Sequence, residues 1–341
     1  MPLTLRPYSA NNYALSKVWF KCSSINLRTQ DIDNISSQVK SWLYQDCFEK
    51  PNELVLYRES HAGGLGLFHV KTRSLDLFIR SFMETACNPA FRHILLREIL
   101  FRYHVLGEVT LPNPGFLPYY DQEFFSTIKH YKQNCPLNIT LMSTKQWYRA
   151  LLEDRVLMQA ADNGSPQALL PVRVELLSPA SDWQAIWPLS RTKGLSSEQC
   201  AFLFKLLHLL LPTQDRINRI TDEPGLCKLC KTDIEDAHHA LYSCQFSHGA
   251  ASTLMSYLQI TVPDTSSQSM LKLDFRHKLD DKDSLATLNI LSTGFQYIWQ
   301  ARADKKVVNQ FRMRAEIEAS ISILRKTRFT ASADKMLEMI I

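Results

Sequence analysis

Three thiols and two imidazoles fall in one short polar segment, Cys227-Lys-Leu-Cys230 followed by Glu235-Asp-Ala-His238-His239-Ala-Leu-Tyr-Ser-Cys244. Soft sulfur and imidazole donors at this density suit a tetrahedral zinc site. The C-x-x-C pair lets two thiolates from one turn reach one ion, so the other two ligands must come from a later turn or helix. Cys244 is one. For the imidazole, His239 stands five positions before Cys244 and His238 six. A helix brings i and i+4 to one face more directly than i and i+6, so His239 is the candidate, with His238 and His248 as alternatives. Cys227, Cys230, His239 and Cys244 close a Cys3His set that leaves no open coordination position, which makes the expected zinc structural and not catalytic. The competing readings are a hairpin of buried thiols and a redox C-x-x-C; the second wants a strand-to-helix context that this stretch lacks.

Helices must position that segment. Ser196 and Gln199 form a capping-box pattern ahead of Phe202, Leu203, Leu206, Leu207 and Leu210, with Pro212 as the expected stop. Ile217 and Ile220 mark a short second helix up to Pro224 and Gly225, which deliver the chain to Cys227. Beyond Cys244, residues 261–268 read as a loop. Leu285, Leu288, Leu291, Phe295, Ile298 and Trp299 form one apolar stripe; Val307, Phe311, Ile317, Ile321 and Leu324 form another. Upstream, stripes follow Asp31, the expected helix cap (Ile32, Ile35, Val39, Trp42, Leu43), and Ser143 (Trp147, Leu151, Leu152, Val156). Others run through Leu75–Met83, Ile94–Tyr103 and Phe124–Tyr131. Pro51–Tyr57 and Val172–Leu177 read as short strands. Gly63-Gly-Leu-Gly-Leu67 lacks phosphate-loop spacing and reads as a tight turn feeding Leu65 and Leu67 into a core. Proline clusters at 112–118 and the Asn163–Pro166 run mark linkers.

The 341 residues are 45% hydrophobic with only ten glycines, which supports sizeable helical cores and argues against turn-dense β architectures. The fold class expected is mainly α: a helical multi-block body, a small Cys3His finger and a C-terminal helical hairpin. The other five cysteines, Cys22, Cys47, Cys87, Cys135 and Cys200, are scattered singly and read as isolated thiols. That usage fits a reducing nuclear or cytoplasmic compartment. The longest apolar stretch, 200–211, is interrupted by Lys205 and His208 and is too short to span a bilayer. The first thirty residues hold Arg6, Lys17, Lys21 and Arg28 and no acid; this suits a mitochondrial presequence superficially, but the segment runs unbroken into patterned helix. The formal charge of +5 is compatible with a polyanion partner. Two basic stripes could meet phosphates: Arg92, Arg97 and Arg102, and the last helix with Lys305, Lys306, Arg312, Arg314, Arg325, Lys326 and Arg328. The alternative for both is a solvated helix face.

Phe202-Leu-Phe-Lys-Leu-Leu-His208, Leu211-Pro-Thr213, Arg216, the C-x-x-C pair, Glu235-x-x-x-His239-Ala-Leu and Cys244 together resemble the reverse-transcriptase zinc-binding domain. That domain belongs to the C-terminal half of LINE-type non-LTR retrotransposon polyproteins. The family pattern has a Glu four positions before the ligand His and a Cys five after it, which favours His239. Tyr13-x-x-x-Lys17-x-Trp19, Ile35, Trp42-Leu43 and Gly63–Leu67 look like the segment after the polymerase thumb, and Ile298-Trp299-x-x-Arg302 with its basic helix is similar to the family's tail. The resemblance implies four regions: a post-thumb helical region (1–110), a helical connector (111–195), the zinc-binding domain (196–250) and a basic helical tail (251–341). It implies RNA or DNA as partners with weak sequence selectivity, no membrane, and the missing reverse-transcriptase core as a neighbour.

The family's palm box, Tyr/Phe-x-Asp-Asp, has no counterpart here. Asp280-Asp281 follows Lys278-Leu279 in a charged stretch. The chain therefore looks like a truncated element without polymerase activity, and an inactive structural remnant is the first alternative. Some relatives carry a restriction-like endonuclease after the finger. Pro263-Asp264 and Asp280-x-Lys282 could mimic its metal-holding carboxylates, against the plainer reading of a turn and a solvated loop.

Overall fold

The computed structural model describes residues 3–23, 27–45, 50–51, 53–88, 127, 142–152, 181–221, 224–259, 266–273, 281–327 and 329–340. In chain order its α-helices are α1 (Arg6–Ser9), α2 (Ser16–Cys22), α3 (Thr29–Leu43), α4 (Glu53–Tyr57), α5 (Val70–Cys87), α6 (Thr144–Leu152), α7 (Trp183–Leu189), α8 (Ser197–Leu207), α9 (Gln214–Thr221), α10 (His248–Leu258), α11 (Ser267–Leu271), α12 (Asp281–Ala303), α13 (Gln310–Arg325) and α14 (Thr330–Ile340). Two π-helical turns, Ala10–Ala14 and His239–Ser243, interrupt the series. Among the described residues, pairing of the β type is limited to isolated bridges. The fold is thus mainly α with a Cys3His cluster. No described helix is long and apolar enough to cross a membrane. The stripes at 94–103 and 124–131, the strand at 172–177, both linkers, Asp264 and Asp280 lie outside the described residues, as do Arg92, Arg97, Arg102 and Arg328.

The chain divides into two compact units, one of residues 6–45 and 66–170, the other of residues 1–5, 46–65 and 171–341. In the first, the Ala10–Ala14 turn and α2 bury Asn11, Leu15 and Cys22. The Asn11 amide is held at both ends: it donates to the Gly66 carbonyl at 2.9 Å and accepts from the Phe68 N–H at 3.1 Å. Phe68 meets Trp19 and Tyr148 edge-on at 6.4 and 5.3 Å, tying α2 and α6 to the start of α5. Ser143 and Gln146 cap α6 reciprocally, as their spacing predicts. Asp31 is not the cap of α3. Arg28 occupies that position, and Asp31 sits in the first turn, where its charge suits the helix dipole and pairs with Arg28 at 3.1 Å.

In the second unit one core runs through α7, α8, α10, α12, α13 and α14, so residues of 196–250 and of 251–341 share it. The C-terminal hairpin is in fact three helices, since α14 packs on both α12 and α13 through Ala333, Met336, Met339 and Ile340. Helix α8 carries the expected Ser196–Gln199 capping box. It stops at Leu207, well before Pro212: Leu209 turns left-handed (φ 55°), and Leu210 N–H reaches the Lys205 carbonyl, a Schellman closure that needs no proline. The expected strand at Pro51–Tyr57 is the one-turn helix α4. Without a neighbouring strand its backbone groups would go unpaired, and a helical turn satisfies them locally. The loop expected through Gln268 yields to α11 at Ser267.

The Gly63–Leu67 run makes the turn that its composition predicts, and Leu65 and Leu67 are buried. Gly63 has φ 83°, and a Cβ there would lie 2.5 Å from the Trp187 indole, so only glycine fits. Its carbonyl accepts from His208 Nε2 at 2.7 Å, while Trp187 stacks on the imidazole with centroids 4.8 Å apart. Burial, only partly offset by the Gly63 carbonyl, pushes the His208 pKa down to about 4. A depressed folded pKa means that stability is full above about 6.5 and is lost as pH falls toward 4, by about 3 kcal/mol in all. Replacing His208 by Gln keeps a donor and removes the titration. Urea unfolding of H208Q between pH 7 and 4.5 should lose markedly less stability than the parent; parallel losses would show that His208 is not the titrating group. Asp76, in the other unit, works the opposite way: burial, against the pull of Arg73, pushes its carboxyl up to about 7, so its contribution is full below about 4 and fades as pH rises toward 7.

Candidate metal centre

Gly225 and Leu226 leave α9 in an extended course that bridges to Ile234. Between them the chain turns over Cys227–Cys230: Cys227 N–H donates to the Asp233 carbonyl at 2.8 Å, and the Cys227 carbonyl accepts from Lys231 N–H at 2.9 Å. Lys231 completes the knuckle in the left-handed region (φ 59°). N–H groups of Leu229 and Cys230 point at Cys227 Sγ at 3.4 and 3.3 Å, and the Thr232 hydroxyl points at Cys230 Sγ at 3.1 Å. Such donors stabilise thiolates. Burial raises the Cys230 pKa, but bonds from the Thr232 hydroxyl, the backbone at Thr232 and Asp233, and Cys227 outweigh it and bring it down to about 6. Cys244 is raised, first by burial and then by the neighbouring thiols.

His239 and Cys244 come from the π-helical turn, and its wide register explains their spacing. In an α-helix five residues turn about 500°, leaving i and i+5 about 140° apart. Here Cys244 N–H donates to the His239 carbonyl at 2.9 Å, the i→i+5 bond that brings both side chains to one side. Asp236 opens the turn by accepting from His239 N–H at 2.6 Å.

The four ligand atoms lie within 4.8 Å of one another. Cys227 and Cys244 sulfurs are 3.8 Å apart, and Cys230 Sγ is 3.3 Å from His239 Nε2. A tetrahedron with metal–sulfur bonds of about 2.3 Å and a metal–nitrogen bond of about 2.0 Å has edges of about 3.8 and 3.5 Å, so the donor set fits one ion. The sulfurs are far too distant for a disulfide. The alternative imidazoles are engaged elsewhere: His238 Nε2 meets the Ser267 hydroxyl at 3.1 Å, and the exposed His248 donates toward the Tyr242 carbonyl at 3.3 Å.

Outside the ligands sits a buried pair that residue spacing could not place. Glu235 accepts from Lys228 N–H at 3.1 Å and pairs with Arg302 of α12; the Arg302 Nη2 also donates to Cys227 Sγ at 3.4 Å. Both side chains are about 5% exposed. Burial alone would lower the Arg302 pKa, but the Cys227 sulfur and the Glu235 carboxylate raise it. With a divalent ion held by three thiolates and one neutral imidazole, the centre would carry one negative charge, and the Arg302 guanidinium beside Cys227 would face it. The sequence signals were Glu235, four positions before His239, and the Trp299-x-x-Arg302 pattern; neither named its partner.

Among the described residues, the basic side chains expected on the last long helix do not all lie on it. Lys305 and Lys306 do not belong to the last long helix: they close α12, where Lys305 turns left-handed (φ 54°) and Lys306 N–H reaches the Ala301 carbonyl. Lys306 pairs with Asp304 at 2.7 Å, Arg314 with Glu318 at 3.0 Å, and Arg325 with Asp334 at 3.1 Å. Arg312 and Lys326 are exposed on α13 and at its cap, and Val307 and Phe311, expected in the core, are each 74% exposed. No protein-family model matches the chain, and no curated protein does.

Proposed function

We propose that the chain is a zinc-stapled, nucleic-acid-binding accessory region of a non-LTR retrotransposon reverse transcriptase, without polymerase or nuclease chemistry of its own. The observation that carries the reading is the closed Cys3His constellation at the spacing the resemblance implies, with His239 turned inward. Three thiolates and an imidazole are the ligands of structural zinc, and four protein donors leave no position for a substrate. The ion's work is mechanical: it fixes the 225–244 hairpin on α12. Exposed Lys305, Arg312 and Lys326 then supply phosphate contacts, and a reverse-transcriptase core is the natural protein neighbour.

The test is a mobility shift of the full chain on RNA and DNA of several sequences. Binding should vary little with sequence. With about three phosphate contacts on duplex DNA, affinity should fall roughly 40-fold between about 50 and 200 mM salt. Absence of binding at low salt would leave an inert remnant as the better description.

A further inference from the structure

We infer that Tyr13, Lys17, Phe20 and Lys21 form a stacking platform for single-stranded nucleic acid. The inference rests on the nucleic-acid reading above and gives it a surface separate from the basic tail.

The face is set by what lies behind it. Asn11, Leu15 and Cys22 are buried, and the bonds from the Asn11 amide to Gly66 and Phe68 fix the rotation of the segment. The opposite side must then face water. Lys17, Phe20 and Lys21 stand at i, i+3 and i+4 on one face of α2, and Tyr13 precedes them in the π-helical turn. Tyr13 is 72% and Phe20 81% exposed, and Tyr8, one turn earlier, is 63% exposed. Ring faces this open, in one short segment with two exposed lysines, are available to a ligand. Tyr13 and Phe20 are seven residues apart, roughly 10 Å at a helical rise, and Lys17 falls between them in the chain.

The charge identifies the occupant. The first acid in the chain is Asp31, whereas Arg6, Lys17, Lys21 and Arg28 precede it. Among the described residues no carboxylate forms an ion pair with Lys17 or Lys21. Lysine is depleted in the centre of protein–protein interfaces. Lysines interleaved with open rings instead match a strand whose bases offer π-faces and whose phosphates offer charge. A duplex keeps its base faces stacked on one another, so the platform selects single strands.

Fluorescence anisotropy of the full chain with labelled U20, dT20 and a 20-base-pair duplex tests this. Tyr13→Ala with Phe20→Ala should weaken single-strand binding at least tenfold and leave duplex binding within twofold. Tyr13→Trp with Phe20→Trp should restore it, and the new indole emission should quench on dT20 but not on duplex. Lys17→Ala with Lys21→Ala should lower the single-strand salt slope by about 1.4. Unchanged single-strand affinity in the alanine variant, or equal loss on both ligands, overturns the platform while leaving the tail as a binding surface. Sedimentation showing a self-associated parent and a monomeric variant would reassign the face to protein contact. A parent that binds no nucleic acid at all would remove this inference and the proposed function together.

Discussion

Cys230→Ser is expected to abolish stoichiometric metal binding. The purified parent should carry about one zinc per chain by elemental analysis, and the variant close to none. Cys22→Ser and Cys200→Ser, at thiols that are not among the four clustered donors, should leave the count unchanged. The effect is large because the tip of the hairpin buries little apolar surface: Leu226 and Ile234, its bridging residues, are both exposed. Structural zinc supplies an apparent 10–16 kcal/mol in isolated finger peptides. Here part of that goes into organising 225–244, so a chelator should open this stretch to proteolysis while the α12–α14 core resists longer. Acid should act like the chelator, because each thiol must shed its proton to bind. Metal-free protein with an equally protected hairpin would sink the proposal.

Arg302→Ala is expected to weaken metal binding by about 10- to 100-fold, although Arg302 would never touch the ion. Removal of the guanidinium leaves Glu235 buried beside an anionic centre, a fault that costs about 3–5 kcal/mol. Two measurements check it: competition for zinc with a chromophoric chelator, and denaturant unfolding of the zinc-loaded protein. Combining Arg302→Met with Glu235→Gln should recover much of the stability, since both charges then leave together. It should not recover the metal affinity fully, because Cys227 keeps only its backbone donors and lacks the guanidinium. A single variant that matched the parent in both measurements would show that the pair is incidental.

The candidate ligands were legible because thiols clustered in sequence, and sequence neighbours in a hairpin are neighbours in space. The choice of imidazole was harder. An α-helical period favours i+4, and only a π-turn makes i+5 the better spacing, so His239 followed from the least poor fit plus a resemblance. Glu235 and Arg302 were visible as residues but not as a pair, because no local period links a knuckle to a helix so far along the chain. Helical stripes such as Leu285–Ile298 read correctly because their partners need only be apolar. The turn at Gly63 was also readable from its glycines, though the ring that requires one of them, Trp187, was not. Errors fell where backbone caps decide: Leu209 and Lys305 turn left-handed without glycine, moving one helix end before Pro212 and taking two lysines out of the basic helix.

The contact between α12 and the knuckle has a consequence for dissecting the molecule. A piece excised at 196–250, as the finger motif would suggest, loses the arginine that answers its sulfurs and the helix on which it rests. Such a piece should be soluble only with difficulty and should capture zinc poorly. The smallest autonomous fragment must extend past Arg302, and because α12 is itself sandwiched by the two helices that follow, it must continue to the end of α14.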